Sequence, residues 1–164
     1  MTGFFSRNGR MMLIVRRLAA DFVAALISFF ARLVTAVRGV RHGDEAFTKP
    51  CVFYANHASH CDFILIWTVL PPGMRSETRP VAGADYWQAS RLRRFIGIDV
   101  FKSLLIPRNG ERTDPDPIDA MALDQGDCLI FFPEGTRNTG KERLLPLKIG
   151  IFRLAEARPD SKRP

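Results

Sequence analysis

His57 and Asp62 are the residue pair best suited to chemistry, set in Cys51-Val52-Phe53-Tyr54-Ala55-Asn56-His57-Ala58-Ser59-His60-Cys61-Asp62-Phe63. An imidazole exchanges protons near neutral pH, and a neighbouring carboxylate fixes which ring nitrogen carries the proton. On an uninterrupted helix, five residues advance about 500°, which puts the two side chains on different faces. They meet if the helix begins between them. Ser59-x-x-Asp62 ahead of Phe63-Ile64-Leu65-Ile66-Trp67 is an N-terminal capping pattern, with Asp62 in the first turn and His57 just outside it. The same spacing also fits a plain capping pair in which Asp62 only closes the helix end. Cys61 as a thiol nucleophile with His57 as its base is a weaker reading, because Cys61 falls on the first helical turn as a packed residue. His57, His60, Cys61 and Asp62 lack the spacing of metal ligands, so no metal is expected, and His60 reads as a solvated residue of the first turn.

A second cluster, Phe132-Pro133-Glu134-Gly135-Thr136-Arg137-Asn138, closes another apolar run. Gly135 allows close backbone approach to a ligand. Thr136 offers a hydroxyl, and Arg137 can fork onto a phosphate. Glu134 is expected to hold a cation or to orient Arg137. A polar turn with a surface ion pair would show the same residues. Arg108, after Val100–Ile106, is a candidate third arm.

These residues need strand ends to hold them. Cys51–Ala55, Arg79–Ala84, Val100–Ile106 and Asp127–Phe132 read as strands. Helices are predicted from about His60 to Leu70, where Pro71-Pro72-Gly73 stops the chain, and from Asp85 to about Phe95. A short helix is predicted over Pro115–Leu123, and another begins at Lys148–Ala155. Alternation of strands and helices predicts an α/β fold with a mixed, largely parallel sheet flanked by helices. In such sheets, chemistry collects at the carboxyl ends of strands.

With 46% hydrophobic and 25% charged residues in 164, the chain suits one folded core and excludes wholesale disorder. Most of its net charge of +7 lies in residues 1–50, where Arg7, Arg10, Arg16, Arg17, Arg32, Arg38, Arg41 and Lys49 face only Asp21, Asp44 and Glu45. Basic residues wrapped around apolar ones suit an anionic membrane surface better than nucleic acid, for which exposed aromatics would have to interleave with the charge. Met11–Val37 is predicted helical. Its apolar core Phe22–Ala31 is short for a span and bounded by Asp21 and Arg32, so lateral insertion with arginines reaching outward is favoured over crossing. Residues 1–49 are therefore read as a membrane-associating segment and connector, and 50–164 as the chemical domain. The odd count of cysteines (Cys51, Cys61, Cys128) without a Cys-x-x-Cys pair indicates reduced, mostly buried thiols in a cytosolic compartment.

Asn56-His57-x4-Asp62 and Phe132-Pro133-Glu134-Gly135-Thr136-Arg137, in this order and each after a strand, resemble the first and third motifs of the glycerolipid acyltransferase family. This is the 1-acylglycerol-3-phosphate acyltransferase type, and the likeness covers roughly residues 50–155. The resemblance implies a fatty acyl transfer from an acyl-CoA or acyl carrier protein thioester to a lyso-lipid hydroxyl, in phospholipid synthesis. It implies His57 and Asp62 as catalytic residues, and Arg108, Glu134, Gly135, Thr136 and Arg137 as substrate-binding ones. No cofactor beyond the thioester co-substrate is implied. The expected location is the cytoplasmic face of a membrane, the inner one in a bacterium. Two departures stand out. Ending the second motif on Arg108 puts Lys102 where the family has glycine. The chain also stops at Pro164, before the family's fourth motif and carboxyl-terminal part, so a truncated, non-catalytic membrane-surface protein is the alternative expectation.

Overall fold

The run Cys128-Leu129-Ile130-Phe131 offers no polar side to water, so it needs cover on both faces. In the computed structural model, which describes residues 6–40, 49–107 and 123–148, this run takes an inner place in a parallel sheet. The strands are β1 (Val52–Tyr54), β2 (Thr78–Gly83), β3 (Leu104–Ile106) and β4 (Cys128–Phe131), in the order β1-β4-β2-β3. Val52, Phe53 and Tyr54 stand opposite Leu129, Ile130 and Phe131. The expected α/β sheet is present, and every pairing among the described strands is parallel. Strand β2 meets β4 through residues 78–80 and β3 through 81–83. Pro80 falls at that handover, where its missing N–H weakens one ladder only.

Successive β4 residues serve opposite faces. Ile130 joins Phe63, Trp67, Val100, Phe101 and Ala20 on one side, while Leu129 packs with Leu123, Val52, Val81 and Leu104 on the other. Phe101 is the hub of the first cluster. Its ring meets Phe63 and Trp67 edge-on, at centroid distances of 5.0 and 5.2 Å, the arrangement that aromatic quadrupoles favour.

The helices are α1 (Ser6–Thr35), α2 (Asp62–Val69), α3 (Pro72–Arg75), α4 (Ala84–Trp87) and α5 (Arg91–Arg94), followed by a π-helical turn over Phe95–Val100. Pro71-Pro72-Gly73 does end α2, but it also begins α3, because proline at the first helical position loses no bond. The helix expected over Asp85–Phe95 is broken. Ser90 is extended (φ −151°), and its hydroxyl accepts from the Arg93 N–H as the cap of a new helix. The strand expected from Val100 starts only at Leu104, because the π-helical turn runs on to Val100 and Phe101 N–H donates back to Ile96 O at 3.1 Å. Of the predicted helices over Pro115–Leu123 and Lys148–Ala155, all but Leu123 and Lys148 lie outside the described residues.

Helix α1 packs through one stripe. Ala20, Val23, Ala24, Ile27 and Ser28 repeat at three and four residues and face the core. Its other apolar side chains, among them Leu18, Phe22, Leu26, Phe29, Phe30 and Leu33, are exposed. Arg16 is tied to Asp99 of the π-helical turn at 2.8 Å. By length and composition, Gly9–Thr35 could also cross a membrane.

The three cysteines are free, as expected, but only Cys128 is buried; Cys51 is half-buried and Cys61 exposed. Cys51 Sγ donates to Cys128 Sγ at 2.7 Å, across the starts of β1 and β4. That hydrogen bond lowers the Cys128 thiol to about 7. The same bond, with burial, pushes Cys51 far up.

Candidate active site

Adjacent parallel strands deliver adjacent carboxyl ends, and β1 and β4 bring the two sequence clusters to one place. His57 lies three residues beyond β1, and Glu134 three beyond β4. The loops then grip each other through a single residue. His57 N–H donates to Glu134 Oε1 at 2.8 Å, and His57 O accepts from the Asn138 N–H at 2.6 Å. The imidazole stacks on Phe132, with centroids 4.2 Å apart and planes inclined by 20°. Backbone and ring of His57 are thus both fixed by the β4 loop.

Asp62 is the first residue of α2, so the helix does begin between it and His57. Its Oδ2 lies 3.0 Å from His57 Nδ1. The same oxygen accepts the N–H groups of Ala58 and Ser59, each at 2.7 Å. The carboxylate therefore meets the imidazole and two N–H groups of the turn that leads into the helix, whose N-cap residue is Cys61, without a side-chain cap bond. The expected Ser59 cap is not formed, because the Ser59 hydroxyl accepts from Cys61 N–H at 3.2 Å rather than from residue 62. With Nδ1 serving as donor to the carboxylate, Nε2 is the ring nitrogen left with a lone pair. Both side chains are mostly buried, at 18% and 20% exposure.

Glu134 occupies a different place from the one expected. It is 2% exposed, and its two oxygens accept from His57 N–H and from Leu145 N–H at 3.1 Å. Rather than orienting Arg137, the carboxylate braces the two loops. Gly135 has φ +66°, a region that favours glycine. What approaches it is a side chain of this chain: a Cβ there would stand 2.7 Å from Lys148 Cε and 3.0 Å from Lys148 Nζ. Lys148 is held by its N–H, which donates to Pro133 O at 2.8 Å. Thr136 and Arg137 are exposed on the same loop.

Arg108 lies outside the described residues, and β3, which precedes it, is separated from β4 by β2. Lys102, standing where glycine was expected, has φ +51°, so the backbone takes the glycine-like conformation despite the side chain. Its ammonium donates to Ser76 O at 2.9 Å. Cys61 is exposed rather than packed. His60 is exposed and stacks on Tyr86 at 5.2 Å.

Sequence reasoning assigned no role at the site to Lys148, Asn138 or Leu145. Nothing in their spacing marks them, since two act through backbone N–H groups and Lys148 by folding over a glycine. The site therefore combines a carboxylate-held imidazole with a segment, 132–148, whose cationic side chains include Arg137 and Lys148. A family model described as Acyltransferase matches residues 37–161 of the chain. No curated protein and no solved structure matches it.

Proposed function

Because this chain belongs to the acyltransferase family, we propose that it moves a fatty acyl group from a thioester to the free hydroxyl of 1-acylglycerol-3-phosphate or a related lyso-lipid. The donor is acyl-CoA or an acyl carrier protein thioester, and no other cofactor takes part. The observation that carries this reading is the 3.0 Å contact of His57 Nδ1 with Asp62 Oδ2, at strand ends shared with the Glu134–Arg137 loop.

In this reaction His57 Nε2 removes the acceptor's hydroxyl proton as that oxygen attacks the thioester carbonyl. The tetrahedral intermediate collapses, the carbon–sulfur bond breaks, and the imidazolium returns the proton to the departing thiolate. Asp62 keeps the ring in the useful tautomer and stabilises the imidazolium, a role that needs no acyl-enzyme. Arg137 and Lys148 hold the acceptor phosphate, with Thr136 and the Gly135 backbone beside them and Arg108 as a further arm. Glu134 contributes by fixing His57.

Helix α1 is tied to the domain from Arg16 at Asp99 to Arg32 at Thr68 O, about 24 Å of helix. That attachment favours a helix lying on the membrane with its exposed apolar side inserted, over one that crosses. The enzyme would work on the cytoplasmic face, where acyl thioesters are found, with anionic lipid and no nucleic acid as its partner.

The test is acyl transfer by the full chain in detergent micelles, with labelled acyl-CoA and lysophosphatidic acid, beside His57→Ala. The expected result is turnover that falls by about 10²–10⁴-fold in a variant as well folded as the parent. Turnover surviving in the variant would overturn the role of His57. No turnover by the parent across several donors and acceptors would favour a non-catalytic membrane-surface member of the family.

A further inference from the structure

Two arginines away from the active site converge without a counter-ion among the described residues. Arg32, on α1, donates through Nη2 to Thr68 O at 2.8 Å, near the end of α2. Arg75, at the end of α3, reaches back to Ser28 Oγ at 3.4 Å, with its guanidinium over the Trp67 ring at 5.4 Å. Ser28 precedes Arg32 by one helical turn, so both guanidiniums come to the same face of α1. The salt bridges among the described residues are Arg16–Asp99, Lys49–Glu77, His57–Asp62 and Arg79–Asp127. Neither Arg32 nor Arg75 takes part in one. Two polar atoms at this junction, Arg75 Nε and Thr68 Oγ1, are buried and lack a hydrogen-bond partner among the described residues, although burying such atoms unpaired is costly. Burial and then the charge of Arg32 hold the Arg75 guanidinium below its usual pKa.

An anion with several acceptor oxygens would meet the open donors of both guanidiniums and neutralise their shared charge. A guanidinium presents five donors in a planar fork that matches phosphate, and most of those on Arg32 and Arg75 are unused. The surroundings indicate where the phosphate comes from. Phe29, Phe30 and Leu33 flank Arg32 on α1 and are exposed, an apolar setting that free phosphate would not need and acyl chains would fill. Arg16, near the other end of α1, is already neutralised by Asp99.

The geometry points to a binding site for the headgroup phosphate of an anionic phospholipid, formed by Arg32 and Arg75 where α1, α2 and α3 meet. The site rests on the reading of α1 as lying on the membrane. It would set the depth and rotation of that helix through a specific lipid, beyond the diffuse attraction of the basic segment.

The experiment is flotation of the full chain with phosphatidylcholine vesicles, with and without phosphatidylglycerol. Arg32→Lys/Arg75→Lys keeps the charge and removes the forks, and Arg10→Gln/Arg17→Gln removes two charges elsewhere on α1. Thermal melts by circular dichroism confirm folding of each variant. The lysine variant is expected to lose about tenfold of the preference for phosphatidylglycerol, a loss that charge alone does not predict. Inorganic phosphate, compared with sodium chloride at equal ionic strength, is expected to compete no better. A lysine variant that binds like the parent, with only the glutamine variant weakened, would mean diffuse electrostatics and overturn the site. Competition by inorganic phosphate beyond the salt control would overturn the lipid assignment. A parent chain that binds no vesicle would overturn the reading of α1, and the site with it.

Discussion

Asp62 Oδ2 takes three donors at once, the His57 ring and the N–H groups of Ala58 and Ser59. In Asp62→Asn, an amide oxygen in the same place can still accept the two backbone N–H groups, but it cannot balance an imidazolium. The expected result is kcat lower by about 10²–10⁴-fold, with a melting temperature close to the parent's. Glu134→Gln should behave differently. Two backbone N–H groups need two acceptors, and glutamine offers one oxygen beside an NH₂. The mismatch is expected to cost about 1–3 kcal/mol in denaturant unfolding and to lower kcat by displacing His57, although residue 134 need not touch substrate. Gly135→Ala places a methyl group against Lys148 and strains a left-handed backbone. Its expected signature is a higher KM for the phosphate-bearing acceptor, larger than for monoacylglycerol, and little further loss when combined with Lys148→Ala. At this scale the sequence was informative where side chains meet locally. His57 and Asp62 are five residues apart, and a capping pattern placed the helix start between them. Glu134 was misread because its partners are main-chain N–H groups of residues 57 and 145, which no residue type announces.

The break at Ser90 and the π-helical turn together shape the wall behind the core. Gly97 in that turn lies under Trp87, and a Cβ there would stand 2.8 Å from the indole. Trp87 is in turn edge-on to Phe63, at 5.9 Å between ring centroids. Gly97→Ala is therefore expected to lower stability by about 1–3 kcal/mol, read as a shifted midpoint in urea. Strands β1 and β4 were legible because continuous apolar residues end in turn-forming polar ones. The helix over 85–95 was not, because Tyr86-Trp87-Gln88-Ala89 and Arg91-Leu92-Arg93-Arg94 share helical propensity. Only the extended backbone of Ser90 separates them. Lys102 shows the converse. The residue type departs from the family pattern, yet the chain keeps the left-handed turn at a strain of about 1–2 kcal/mol and ties the lysine to Ser76 O.

On the scale of the whole molecule, α1 presents one apolar side to the domain and the other to its surroundings. Binding to phosphatidylglycerol vesicles is expected to weaken as sodium chloride rises from about 50 to 500 mM, as screening shortens the reach of the basic residues. Apolar residues that hold the protein to neutral vesicles should be insensitive to the same change. The basic and apolar character of this segment was plain in the sequence. Which of its faces packs was not, because apolar residues lie all around the helix and only tertiary contact selects the stripe. The sheet order carries one more consequence, concerning time. Strand β4, the last of the four described strands, lies between β1 and β2, and β1 has β4 as its partner. A chain leaving the ribosome exposes the His57 turn long before the residues that pin it have been made. Residues 128–138 must be synthesised, and a gap of more than seventy residues closed, before that turn can settle. A ribosome stalled before Cys128 would therefore display a nascent chain whose β1 is open to protease, and the released full chain would protect it. His57 is translated early and is set in place late.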